Sequence, residues 1–162
     1  MLGLGGVIEK MGKKVSYFAS PKPSMIFNFL PGLQKIKSDF EAITQFDDDI
    51  FVVGSGSTVA RNKMIQISEV QKRVLQNHDL TDLYLSMQYF AGISAEELNI
   101  EGVIFTGEKW YFFQRGNGKN AKNGIFTIDS PYFTQGYSML YTSYDLPKIK
   151  GVKYVIRLHG GH

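Results

Sequence analysis

The chain has 162 residues, 43% hydrophobic and 20% charged, which suits one packed domain and excludes an intrinsically disordered one. It carries a net charge of +3 and no cysteine, so disulfides and thiolate metal sites are excluded and a reducing, cytoplasmic setting is expected. The basic residues are scattered, with no more than three lysines in the densest run, Lys10–Lys14, and no apolar run approaches the ~20 residues that span a bilayer; neither nucleic acid nor a membrane is an expected partner.

Residues 1–37 read as an N-terminal segment without the continuous apolar stretch of a secretory signal. From residue 38 to 80 the pattern becomes short apolar runs divided by turn residues. Strands are expected near Phe40–Thr44, Ile50–Val53, Met64–Ile67 and Val74–Asn77, with Asp47-Asp48-Asp49 as the first turn and Gly54-Ser55-Gly56-Ser57-Thr58 as the second. Residues 81–98 break the pattern. Leu80, Leu83, Tyr84 and Met87 fall on one helical face, with Asp79 placed as an N-cap, and Ser94 to Glu97 has capping-box spacing. This helical insertion is read first as a packing element, with a flap over the sheets as the minority reading.

Residues 99–146 repeat the first unit. Phe40-Glu41-Ala42-Ile43 returns as Ile100-Glu101-Gly102-Val103, and Ile50-Phe51-Val52-Val53 as Trp110-Tyr111-Phe112-Phe113, both at an offset of 60. One added residue then aligns Arg61-Asn62 with Lys122-Asn123, and Val74–Leu80 is set against Leu140–Leu146. Four further strands are expected near Ile100–Phe105, Trp110–Phe113, Gly124–Ile128 and Met139–Ser143. Residues 147–162 begin a third unit, where Ile149-Lys150-Gly151-Val152 echoes Ile100–Val103 before the pattern lapses. Units of four strands and about 40–50 residues have the size of propeller blades. The fold class expected is therefore mainly all-β: about two blades of a partial propeller and the start of a third, in one domain. Exposed sheet edges would favour self-association.

Equivalent positions in successive blades converge on one axis, so Glu41 and Glu101 are the leading site candidates. They serve either as a local turn carboxylate or as part of a ring. With Asp39 they would form an oxygen-rich metal set suited to Ca²⁺ or Mg²⁺. The two Gly-rich loops, 54–58 and 114–120, are hairpin connections first and anion cradles second, with Arg61, Arg115, Lys119 and Lys122 to add charge. Arg61, Asn62, Arg115 and Asn117 complete the ligand-binding set with the two glutamates. His78 is placed as a surface or packing residue, and His159 and His162 carry no role.

On Ser38–Thr44, Gly54–Ser57 with Arg61-Asn62-Lys63, Leu98–Val103 and Phe113–Gly118, the chain resembles a family of uncharacterised bacterial β-propeller proteins distantly related to phytase-like and esterase-like propellers. The resemblance covers roughly residues 37–151. It implies a propeller fold and a longer parent with more blades; from Val152 on the chain departs from the expected next strand and turn. The expected function is a module binding a small polar molecule or a cation. The alternatives are a metal-assisted phosphoesterase or esterase, and a truncated fragment without function.

Overall fold

Short apolar runs, broken by turn residues, pair the chain into hairpins. The computed structural model describes residues 40–117, 122–133 and 136–145, all within the compact unit Ile36–Gly161. Two four-stranded antiparallel sheets follow one another in sequence. The first holds β1 (Phe40–Phe46), β2 (Asp49–Gly54), β3 (Lys63–Ser68) and β4 (Arg73–Asp79), and the second holds β5 (Ile100–Phe105), β6 (Trp110–Gln114), β7 (Asn123–Ile128) and β8 (Met139–Tyr144). Each sheet is a simple meander whose strand order is the chain order. The strands fall where the sequence places them. The expectations for residues 1–37 and 147–162, with His159 and His162, concern residues outside those described.

The internal repeat is visible in the register. β1 pairs β2 through Ile43↔Val52, Thr44↔Phe51 and Gln45↔Ile50, and β5 pairs β6 through Val103↔Phe112, Ile104↔Tyr111 and Phe105↔Trp110, the same register 60 residues on. The β2–β3 and β6–β7 pairs agree once one residue is added. The fourth strand corrects the expected alignment. Asn77 pairs Ile65 as Tyr141 pairs Phe126, so Asn77 matches Tyr141, not Ser143 as the aligned Asp-Leu pairs would have it. The error is two residues from Gln76 onward and one at Val74, across the bulge at Leu75, where Val74 matches Met139. A slip of two keeps every side chain on its own face, so an apolar pattern does not detect it.

The two sheets stack through opposite faces. From the first sheet, Ala42, Phe51, Val53 and Met64 enter the main core; from the second come Val103, Trp110, Phe112, Phe126 and Ile128. Under the repeat, Phe51 matches Tyr111 and Trp110 matches Ile50, so neither sheet presents the face its partner presents. The seam is aromatic: the Phe51 ring lies edge-on to Phe105 and Trp110 at 5.5 and 5.1 Å, and Phe105 stacks on Trp110 at 4.1 Å. Fully burying side chains of this size contributes about 1.5–3 kcal/mol each. The indole N–H of Trp110 donates to Pro131 O at 3.1 Å, so its one polar atom is satisfied.

The insertion forms one helix, α1 (Thr81–Ala91), whose Leu83, Tyr84, Met87 and Ala91 are buried and join the core with Leu80 and Leu98. It packs rather than hangs as a flap. Asp79 caps it from one residue further out than an N-cap, its carboxylate accepting Thr81 N–H at 2.8 Å. Gly92, at φ 61, ends the helix in the left-handed conformation. Of the predicted capping box one arm is present, Ser94 N–H donating to the Glu97 carboxylate at 2.9 Å, and the segment is a turn, not a second helix.

Candidate functional site

A β-bulge interrupts the first strand of each sheet. The register shifts between Phe40 and Ala42 in β1 and between Ile100 and Gly102 in β5, so Glu41 and Glu101 are the extra residues of equivalent bulges. Bulges commonly re-aim a side chain at a functional end of a sheet. Each glutamate meets an arginine, but the arginines come from different places. Arg61, closing the 3-10 turn Val59–Arg61, approaches Glu41 at 4.0 Å. Arg115, just past β6, bonds Glu101 Oε1 at 2.8 Å. The first pair is loose and partly exposed. The second is tighter, with the Glu101 side chain 14% exposed and also accepting from Asn99 Nδ2 at 2.6 Å.

A polar line joins the two pairs. Arg61 donates to Ser57 Oγ at 3.0 Å, Ser57 and Ser55 share a hydroxyl hydrogen bond at 2.9 Å, and Ser55 O accepts Ile100 N–H at 2.8 Å, one residue from Glu101. Ser55 is fully buried. The Gly-rich loop after β2 thus carries the contact from the first bulge to the second. Its shape is dictated by close packing. A Cβ on Gly56, at φ 76, would lie 2.7 Å from the Tyr84 ring, and one on Gly54 would lie 2.3 Å from Arg61 O. Tyr84 lies over this loop and donates its hydroxyl to Gly54 O; burial pushes the phenol far above its ordinary pKa, which keeps it a neutral donor.

Gln114 organises the second pair, and the sequence reading missed it. Fully buried, it accepts Asn99 N–H through Oε1 at 2.8 Å and donates through Nε2 to Glu97 O at 2.6 Å and Arg115 O at 3.1 Å. It thereby fixes both flanks of Glu101. Asn123, also buried, holds Gly116 N–H at 3.0 Å. The sequence signal for these residues is a polar side chain on a core-facing strand position, Gln114 two places after Phe112.

The remaining candidates sit as follows. Asn62 follows the 3-10 turn, its backbone O accepting Leu80 N–H at 2.9 Å; its Oδ1, like Arg115 Nε, is buried without a hydrogen-bond partner among the described residues. Asn117 is half-buried in the loop after β6. Asp39 lies outside the described residues, and among those described no group of three or more His, Asp or Glu is placed to hold a metal. The backbone N–H groups of Gly56, Arg61, Asn62 and Arg115 all bond within the protein, as does that of Gly116. The loops are therefore closed on themselves at these positions and offer no anion cradle there. Lys122 reaches Ala91 O at 3.4 Å, and Lys119 lies outside the described residues. His78 is half-buried on β4, 3.4 Å from Gln66 Oε1, and desolvation lowers its pKa.

Among the described residues no helix is long and apolar enough to cross a membrane. No curated protein matches the chain. A model described as a family of unknown function (DUF6929) matches residues 20–156, more than four fifths of the length, and the chain belongs to that family.

Proposed function

We propose that the protein is a propeller-type binding module whose ligand, a small polar molecule or a cation, is held at the bulged ends of the inner strands. The observation that carries this reading is the pair of equivalent bulges, each presenting a glutamate beside an arginine. Apolar packing explains the strands, but it does not call for a charged pair at the same point of both repeats. Blade-like stacking through opposite faces supports the propeller reading, since blades meet head to tail and the inner strands then share one end.

Glu41 and Arg61 are the ligand-contacting pair in this reading. At 4.0 Å they are too far apart to satisfy one another by hydrogen bonding, so the carboxylate keeps acceptor capacity for a hydroxyl, an ammonium or a cation. Glu101 and Arg115 form the ordered wall opposite. The buried Arg115 Nε and Asn62 Oδ1 add one donor and one acceptor. This balance of charges suits a neutral or zwitterionic polar ligand better than a phosphate ester. A hydrolase reading gains no residue from the site.

The test is thermal denaturation of the chain against Ca²⁺, Mg²⁺, amino acids, sugars and phosphate esters. At least one of the first four classes should raise the melting temperature, and Glu41→Gln with Glu101→Gln should abolish the rise. No shift with any class would refute the reading.

A further inference from the structure

At the outer edge of the second sheet lies a cavity of about 280 Å³. It is lined by Ala91, the last residue of α1, by Lys122 and Asn123 at the entry to β7, by Tyr141 and Ser143 of β8, and by Asp145 just beyond. That volume is at the small end of metabolite pockets. Neither the Glu41–Arg61 pair nor the Glu101–Arg115 pair lines it. One wall departs from the repeat. Gly124 carries no side chain, and the Tyr141 ring takes the space: a Cβ on Gly124 would lie 2.3 Å from the ring and 2.6 Å from its hydroxyl oxygen. The ring also packs on Phe126 at 4.5 Å. In the first sheet the matching positions hold Lys63 and an exposed Asn77, so the arrangement belongs to the second unit alone.

Packing accounts for the Tyr141 ring but not for its hydroxyl, which is buried and has no hydrogen-bond partner among the described residues. A buried O–H without a partner costs the fold stability. Burial raises its pKa, so it keeps a proton to donate. Two charges of opposite sign line the same cavity. The Lys122 ammonium reaches Ala91 O at a long 3.4 Å, which leaves two of its three donors, and among the described residues no ion pair joins it to Asp145.

We propose that this cavity binds a small α-amino acid as its zwitterion. Lys122 Nζ and the Tyr141 hydroxyl hold the carboxylate, two donors to one anionic group, and the Asp145 carboxylate holds the ammonium. A simple anion gives Asp145 no partner, and a simple cation gives Lys122 none. The inference goes beyond the bulged ends and does not rest on them.

Isothermal titration of the full chain with alanine, serine and aspartate, and with their 2-hydroxy acid counterparts lactate, glycerate and malate, tests it. At least one amino acid should bind, and its hydroxy acid more weakly by about tenfold, the worth of one charge-assisted hydrogen bond. Lys122→Met should cost about tenfold for the same reason. Tyr141→Phe keeps the ring on Gly124 and Phe126; it should weaken binding yet raise the melting temperature of the free chain, because it deletes the unsatisfied group. A merely structural hydroxyl would do neither. Glu41→Gln with Glu101→Gln should leave the affinity unchanged. No binding of the three amino acids, equal binding of the hydroxy acid, or a lower melting temperature for Tyr141→Phe overturns the proposal. An affinity kept in Lys122→Met and lost in the glutamate variants also overturns it, and leaves the bulged-end reading in place. Loss in Lys122→Met with full affinity in the glutamate variants supports the cavity, whatever the bulged ends bind.

Discussion

Replacing Gln114 by methionine tests the site at its hinge. Methionine keeps the unbranched shape and the volume but offers neither the acceptor for Asn99 N–H nor the donors for Glu97 O and Arg115 O. Asn99 is buried, 7% exposed, so its N–H is orphaned without access to water, at a cost of about 1–3 kcal/mol. The Glu97 carbonyl belongs to a half-buried residue and recovers part of its loss through solvent; the added thioether burial returns about 1 kcal/mol. The net expectation is a destabilisation of about 2–3 kcal/mol, or a melting temperature about 5–10 °C lower for a chain of this size. Urea denaturation followed by circular dichroism measures it. Gln114→Glu is the informative companion. It keeps the acceptor but, when ionised, sets a buried carboxylate against two carbonyls, so it should be worse than methionine at neutral pH and recover as acid protonates it. A midpoint within error of wild type for Gln114→Met would refute the claim that this side chain holds the flanks of Glu101.

Two further outcomes follow from the same geometry. Gly56→Ala, which drives a methyl into the Tyr84 ring at φ 76, should destabilise far more than Gly92→Ala, where φ is 61 but the space is open; the latter should cost about 1 kcal/mol from backbone strain alone, and comparative thermal melts decide it. Burial holds the His78 pKa below its ordinary value of 6.5, so the folded state favours the neutral ring. Its stabilising contribution is complete above pH 6.5 and lost as the pH falls toward the lowered folded value, so His78→Gln should flatten the decline in melting temperature across that window; an unchanged slope would show that His78 is not the group responsible.

The apolar runs Ile50–Val53 and Trp110–Phe113, the turn triplets before them and the helical face of Leu80, Leu83, Tyr84 and Met87 are local signals, and each produced its element. So did the repeat at an offset of 60, because strand registers are set by hairpin turns and face periodicity. What the local pattern left open was decided by residues far apart in the chain. The two-residue slip in the fourth strand is invisible to alternation. The partner of Glu101 is Arg115, just past β6, and that of Glu41 is Arg61, from a 3-10 turn, although the repeat would have matched Arg61 to Lys122. Gln114 reads in sequence as the first residue of the Gly-rich loop 114–120; only packing shows that its amide satisfies Asn99, Glu97 and Arg115 at once. The composition and spacing of this protein determined strands, turns and a repeated unit. The tertiary structure decided which faces meet and which charges pair, because burial and hydrogen-bond satisfaction belong to the assembled fold and not to any stretch of chain.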